Sequence, residues 1–270
     1  MEKQLFFNSD LIPLFGVIYQ PEVPKNKGYL IIHPFAEEKK SSQRTLVEMA
    51  EGLCREGFYV FIFDLRGCGD SQGNLKEASV TSWLADINNA LVYFRKETKI
   101  NDIDIIGLRF GAYLTMLYSH RIEQVKNLVL IEPILHPLDY LRKSLRGKLI
   151  KELCTEGEIL SKRNDLFVQL EENISVDFDG HELSASFYKD LCSIQEHYNS
   201  EALVEHIKNG YMISISLTGK ISKDSQEVIR VNPHLPYKEL KMELFWNKVD
   251  EVANDELINE VVGYCLSNYN

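Results

Sequence analysis

No run of apolar residues in this chain approaches the roughly 20 that a membrane-spanning helix needs. The opening residues, MEKQLFFNSD, lack the apolar stretch and small-residue cleavage site of a secretory signal, so a cytoplasmic protein is expected. Cysteine is scarce: Cys54, Cys68, Cys154, Cys192 and Cys265 are odd in number, widely scattered and form no Cys-x-x-Cys pair. That argues against a zinc site or a redox dithiol and for reduced thiols, and no metal or other cofactor is expected. Positive charge is also in deficit, with 30 Lys and Arg against 40 Asp and Glu and a net charge of -10. Nucleic-acid backbones and anionic membrane surfaces are polyanions, so a non-specific role on either is disfavoured. Low-complexity segments, internal repeats and long disordered linkers are missing too.

What is present is a chain of 270 residues, 44% hydrophobic and 26% charged, at the upper end of what one domain holds around a core. Short β-like runs alternate with helical patterns, the signature of an α/β protein with a mostly parallel sheet. About eight strands are expected: Lys3 to Phe7, Pro13 to Tyr19, Gly28 to His33, Phe58 to Asp64, Ile103 to Gly107, Lys126 to Ile131, Tyr211 to Leu217 and Leu240 to Trp246. Leu46, Met49, Ala50, Leu53 and Cys54 keep the spacing of one buried helical face, as do Trp83, Leu84, Ile87, Ala90, Leu91 and Phe94. A third apolar stripe, Leu257 to Leu266, closes the chain. The alternation breaks after Pro133. Residues 133–210 carry a basic amphipathic helix (Tyr140 to Leu153), a small hairpin or strand around Ile174 to Phe178, and helices near Ser184 to Ile194 and Ser200 to Asn209. This segment is expected to be a cap inserted over the carboxyl ends of the strands, leaving 1–132 and 211–270 as the core domain.

The stretch IDIIGLRFGAYL, Ile103 to Leu114, has the form of a sharp strand-to-helix turn flanked by glycines, with Arg109 at its centre. It resembles the G-x-S-x-G nucleophile elbow of α/β-hydrolases at every position but the middle one. HPFAEE (His33 to Glu38) resembles the loop that supplies part of that family's oxyanion hole, and DLRGCGDSQG (Asp64 to Gly73) its D-x-R-G-x-G-x-S-x-G segment. Three such motifs in order imply an α/β-hydrolase fold. Together with Trp83, the arginine elbow GLRFGA, DGHEL and LFWNKVDEV, they also resemble the second exosortase-associated hydrolase family of bacteria. That resemblance implies a fold more than a reaction.

Serine-hydrolase chemistry needs a nucleophile, a histidine to take its proton and a carboxylate to orient the histidine. Arginine stays protonated and offers donors but no lone pair for attack. In the turn where such hydrolases carry the acid, Gly219 is followed by Ser222, with Asp224 two residues late; where a Gly-His pair is usual stand Phe245, Trp246 and Asn247. His33, Cys68, Ser71 and His234 remain as weak catalytic candidates. Cys68 would need a cation such as Arg66 or Arg109 to lower its pKa, and the plain alternative is that Ser71 and the glycines shape a tight turn.

An arginine at the elbow sets a positive charge beside oriented backbone donors and a helix N-terminus, an arrangement suited to an anion. A buried arginine also demands a carboxylate, and Glu37, Glu38 or Glu132 is expected to contact it. Arg109, Phe110, Phe35, Glu37 and Glu132 are the ligand-site candidates. The cap helix gathers Arg142, Lys143, Arg146, Lys148 and Lys151 opposite Leu141, Leu145 and Leu149, either as a solvated face or as a dock for an acidic protein partner. The expected function is binding of a small acidic or acyl ligand, or of a partner, by a hydrolase fold without its triad. The alternative is a hydrolase or acyl transferase of unconventional mechanism acting on an ester, thioester or amide.

Overall fold

A computed structural model describes residues 1–121, 125–156, 163–178, 180–248 and 252–269, with the side chains of 146, 148–156 and 163–165 outside the description. Eight strands form one sheet: β1 (Glu2–Ser9), β2 (Ile12–Tyr19), β3 (Gly28–Ile32), β4 (Tyr59–Phe63), β5 (Ile103–Leu108), β6 (Leu128–Ile131), β9 (Gly210–Ser216) and β10 (Tyr237–Lys241). Their order is β1-β2-β4-β3-β5-β6-β9-β10, with β2 antiparallel to both its neighbours, β1 and β4, and every pairing from β4 to β10 parallel. This is the eight-stranded, mostly parallel sheet that the motifs imply.

Strand periodicity explains the layers. On β3, Tyr29 and Ile31 face one side while Leu30 and Ile32 face the other; Val129 and Ile131 of β6 alternate in the same way with Leu128 and Leu130. Helices α1 (Glu37–Arg55) and α9 (Asp255–Ser267) cover the first face with Leu46, Met49, Leu53, Leu257 and Val261. Helices α2 (Val80–Thr98) and α3 (Phe110–Arg121) cover the second with Trp83, Ile87, Leu91, Leu114 and Leu117. Ser79 starts α2 through a reciprocal capping box with Ser82.

Between β6 and β9 the chain makes an excursion: α4 (Pro137–Glu156), α5 (Arg163–Glu171), the hairpin β7 (Val176–Phe178) and β8 (His181–Leu183), α6 (Ala185–His197) and α7 (Ser200–Glu205). Of its helices, α6 packs on α2 and α7 on α3, while α4 and α5 pack on α6, all outside the main sheet. Helix α8 (Lys223–Val231) then links β9 to β10.

The expected last strand, Leu240 to Trp246, is displaced. The strand is Tyr237–Lys241, and Phe245–Asn247 form a 3₁₀ turn that buries Phe245 and Trp246 beside α1. β10 is an edge strand. Only Leu240 of its five residues is buried, so its charged sequence YKELK gives none of the apolar run that marks the strands between neighbours.

The Asp64 to Gly73 loop is tied to α2 by a buried charge pair. Asp86, fully buried, accepts from Arg66 Nη2 at 2.6 Å, from Nε at 3.0 Å, from the Arg66 backbone N–H at 3.1 Å and from Ser9 Oγ at 2.6 Å. The hydrogen bond to Asp86 raises the Arg66 pKa against the effect of burial, so the guanidinium stays charged. Removing one member leaves an uncompensated charge. Asp86→Ala is predicted to cost about 3 kcal/mol of unfolding free energy, readable from urea denaturation, whereas loss below about 0.5 kcal/mol would show the pair to be dispensable.

Candidate functional site: the arginine elbow

The elbow geometry is preserved. Arg109 follows β5 with φ of 56°, a left-handed conformation, and its N–H continues the ladder by donating to the Ile131 carbonyl at 2.9 Å. The flanking glycines are required by space: a Cβ on Gly107 would stand 2.5 Å from Thr115 Oγ1, and one on Gly111 would collide with the carbonyl oxygens of Ile32 and His33. Glu132, at the end of neighbouring β6, also has a positive φ, 42°. Because Leu108 and Ile131 are register partners, Arg109 and Glu132 leave adjacent strands side by side. Two non-glycine residues in this region at one sheet edge mark a place where the fold sustains strain.

The guanidinium is held on three sides. It donates from Nε to Glu38 Oε2 at 3.3 Å and from Nη2 to Glu38 Oε1 at 3.2 Å, and its carbon lies 4.9 Å from the Trp246 ring centroid and 5.7 Å from that of Tyr140. Of the three glutamates expected to reach it, Glu38 makes the ion pair. Burial pushes the Glu38 carboxyl above its ordinary range, and Arg109 and Tyr140 act in the opposite direction. Burial likewise works against the charge on Arg109, but Glu38, Tyr140 and Glu132 together outweigh it and the guanidinium stays protonated.

The other two glutamates have different surroundings. Glu37 lies 3.7 Å from His181 Nε2 in the β7–β8 hairpin. Glu132 is buried and accepts on Oε2 from Ser214 Oγ at 3.1 Å and from Ile215 N at 2.7 Å.

A cleft of about 400 Å³ opens at Arg109, between the start of the excursion and α8. Most of its lining residues are charged or polar, Arg109, Glu132, His136, Asp139, Tyr140, Lys143, Ser222, Lys223, Asp224 and Glu227, with Pro133 and Ile134, and their carbon atoms make about half of the surface they expose. A larger groove of about 770 Å³ lies at the opposite end of the strands near Met1, Gln20, Arg55 and Gly57, and holds none of the candidate residues. In open α/β sheets ligands bind at the carboxyl ends of the strands, which favours the smaller cleft.

Phe35 and Phe110 are within 2% of full burial and line no part of it. With Trp83, Phe178 and Phe187 they form an aromatic cluster, the rings of Phe35 lying 5.2 to 5.7 Å from those of the other four. The cluster joins the core to the excursion and fills the space beside the elbow with side chains.

The weak catalytic candidates do not converge on the elbow. His33 is buried, its Nδ1 2.7 Å from the Pro34 carbonyl and its Nε2 accepting from Leu65 N at 3.2 Å, so both nitrogens hold backbone. Ser71 donates to the Asp64 carbonyl at 2.5 Å and accepts from Phe15 N at 2.9 Å, the role of a turn-shaping residue. Burial pushes the Cys68 thiol up to about 12, and its cationic neighbour is Lys39, since Arg66 and Arg109 are committed to Asp86 and Glu38. A thiol so placed is protonated at neutral pH and a poor nucleophile. His234 is exposed and outside the cleft. Asp224 reaches the cleft but accepts from Leu135 N at 2.9 Å, and Ser222 caps α8 by accepting from Ser225 N.

One histidine in the cleft escapes the sequence motifs. His136 Nε2 lies 2.9 Å from Glu227 Oε2, and Ser200 donates to Glu227 Oε1 at 3.0 Å. The only sequence signal for His136 is its position just past the carboxyl end of a buried strand. Its partner is 91 residues away.

Of the basic helix, Leu141 and Leu145 are buried while Arg142 and Lys143 are exposed; the side chains of Arg146, Lys148, Leu149 and Lys151 lie outside the described residues. Among the described residues no group of three His, Cys, Asp or Glu could hold a metal ion, and no helix is long and apolar enough to cross a membrane.

His33 carries a pH prediction. Burial lowers its pKa from 6.5 to about 4, so the unfolded chain binds the extra proton first. This contribution to stability is complete above about 6.5 and is lost as pH falls towards about 4. His33→Gln should flatten the fall in melting temperature across that window; an unchanged slope would exclude His33 as its source.

Comparison with known proteins agrees with this geometry. The computed fold is similar to the ferulic-acid-bound structure of Est1E from Butyrivibrio proteoclasticus, with a TM-score of 0.70, 19% identity and 98% of each chain covered. It is similar to the α/β hydrolase GrgF from Penicillium sp. sh18, with a TM-score of 0.66, 17% identity and coverage of 100% of this chain and 98% of that one. The esterase Pf2001 of Pyrococcus furiosus gives a TM-score of 0.65 at 15% identity, covering 99% and 91%. At these identities the likeness establishes the fold. No curated protein matches the chain in sequence. A family model described as serine aminopeptidase, S33, matches residues 29–236, and with the elbow, its flanking loops and the sheet all in place, the chain belongs to that α/β-hydrolase family.

Proposed function

We propose that the chain is a noncatalytic binding protein that uses the former active-site cleft for a small ligand bearing an acidic group, with residues 133–210 serving as its cap. The observation that carries this reading is Arg109 itself, seated at the nucleophile position in the strained elbow and fixed by Glu38, Trp246 and Tyr140. Trp246 stands in the turn after the last strand, where hydrolases of this fold carry the histidine, and its ring packs on the guanidinium. Loss of the nucleophile and gain of an aromatic partner for its replacement support one change of use.

The character of the cleft favours an acidic over an acyl ligand. Its lining is mostly charged, and the aromatic cluster fills the space beside the elbow. An acidic group has fixed cations to meet there, Arg109, Lys143 and Lys223. A dock for an acidic protein partner on α4 rests on the exposed Arg142 and Lys143 alone, a lesser argument. The second reading, a hydrolase or acyl transferase of unconventional mechanism, draws support from one observation: a carboxylate-held imidazole, His136 on Glu227, borders the same cleft.

Two measurements separate these readings. A fluorophosphonate probe, a thiol-directed probe and short-chain p-nitrophenyl esters are expected to give neither labelling nor turnover; labelling abolished by Cys68→Ala or Ser71→Ala would refute the noncatalytic reading. Arg109→Ser is predicted to leave ester hydrolysis at background, because Glu227 holds the cleft imidazole and no other histidine borders the cleft among the described residues. An increase of about a hundredfold or more in that variant would mean that His136 is a working base.

A further inference from the structure

The cleft contains carboxylates as well as cations, and their balance bears on the ligand. Arg109, Lys143 and Lys223 are opposed by Glu132, Asp139, Asp224 and Glu227. With Glu38 on the arginine, the surroundings are not net positive. A ligand of high negative charge would gain on Arg109 and lose against the acids. One that carries its own cation meets both signs favourably.

Two atoms at the base of the cleft are free to do this. Arg109 spends Nε and Nη2 on Glu38, and its Nη1 donates to none of the described residues. Glu132 spends Oε2 on Ser214 and Ile215, and its Oε1 accepts from none of them. Glu132 is 3% exposed and lines the cleft, and its Oε1 is not among the fully enclosed side-chain atoms that lack a partner. A buried carboxylate oxygen without a hydrogen-bond partner is costly unless something donates to it. No ion pair joins Glu132 to Arg109; the guanidinium pairs with Glu38. The two groups project from adjacent strand ends, each on a backbone of positive φ. A fixed donor of positive charge therefore sits beside a fixed acceptor of negative charge, both within one polar cleft.

Resting on the reading of the cleft as a binding site, we propose that its ligand is a small zwitterion of the amino acid or dipeptide class, with its carboxylate on Arg109 Nη1 and its ammonium on Glu132 Oε1. The cavity of about 400 Å³ sets the size limit.

The test is calorimetric titration of the whole chain with the standard free amino acids, glycylglycine and alanylalanine, then with the N-acetyl and carboxamide derivatives of the tightest binder. At least one zwitterion should bind with a Kd of about 1 mM or below, and each derivative, having lost one charge, should bind at least about tenfold more weakly. Glu132→Gln, which keeps an amide oxygen for Ser214 and Ile215, should weaken the zwitterion about tenfold while leaving the N-acetyl compound unchanged. A variant that had merely lost its structure would lose both. Absence of binding by every panel member at about 10 mM, or derivatives binding as tightly as their parent, would overturn the proposal. Binding of propionate without any zwitterion would overturn it alone and leave the acidic-ligand reading standing. Ester turnover or probe labelling would instead remove the noncatalytic reading.

Discussion

The ion pair between Arg109 and Glu38 is the constraint on which the rest of the site depends. A guanidinium at the end of β5, with 16% of its side chain exposed, needs a carboxylate, and Glu38 supplies one from the first turn of α1 with 12% exposed. The pair joins the elbow to the loop that would otherwise serve an oxyanion. It places the charge under Trp246 and against Tyr140, so the 3₁₀ turn after β10 and the first turn of α4 are organised around the same group. Three parts of the fold, the elbow, the loop before α1 and the turn after β10, are thereby held together by one charged group.

Around that pair the fold keeps what the elbow geometry requires. Gly107 and Gly111 leave no room for a Cβ, the helix after the turn starts at Phe110, and the carboxyl ends of β5 and β6 deliver Arg109 and Glu132 to one edge. The retained turn therefore presents side chains to a cleft irrespective of their chemistry. At the centre of the turn this chain presents Arg109, Trp246 packs on it from the turn after β10, and the neighbouring space is taken up by Phe35, Phe110, Trp83, Phe178 and Phe187.

Much of this architecture is legible in the sequence because it depends on local pattern. Apolar runs bounded by turns give the central strands, and spacings such as Trp83, Ile87, Leu91 give the crossover helices. Edge strand β10 is missed for the converse reason: YKELK buries one residue, while the apolar LFW beyond it is a buried turn. At the site, the elbow and the arginine at its centre can be read directly. That Glu38 rather than Glu37 takes the arginine depends on the direction in which each leaves the first turn of α1, information that adjacency in sequence does not hold. The Arg66–Asp86 pair and the His136–Glu227 pair join residues 20 and 91 positions apart, and neither has a local signature. The motif shows that Arg66 is there, but the buried carboxylate that it serves is known only from the fold.

The most direct test of the account is a double-mutant cycle on unfolding free energy with Arg109→Met, Glu38→Gln and the two combined. If the elbow arginine is a fixed structural and binding group, the two substitutions should couple by about 1 to 3 kcal/mol, with the double variant more stable than the sum of the single losses predicts. Effects that add to within about 0.3 kcal/mol would show that the pair holds nothing together, and would contradict the account at its centre.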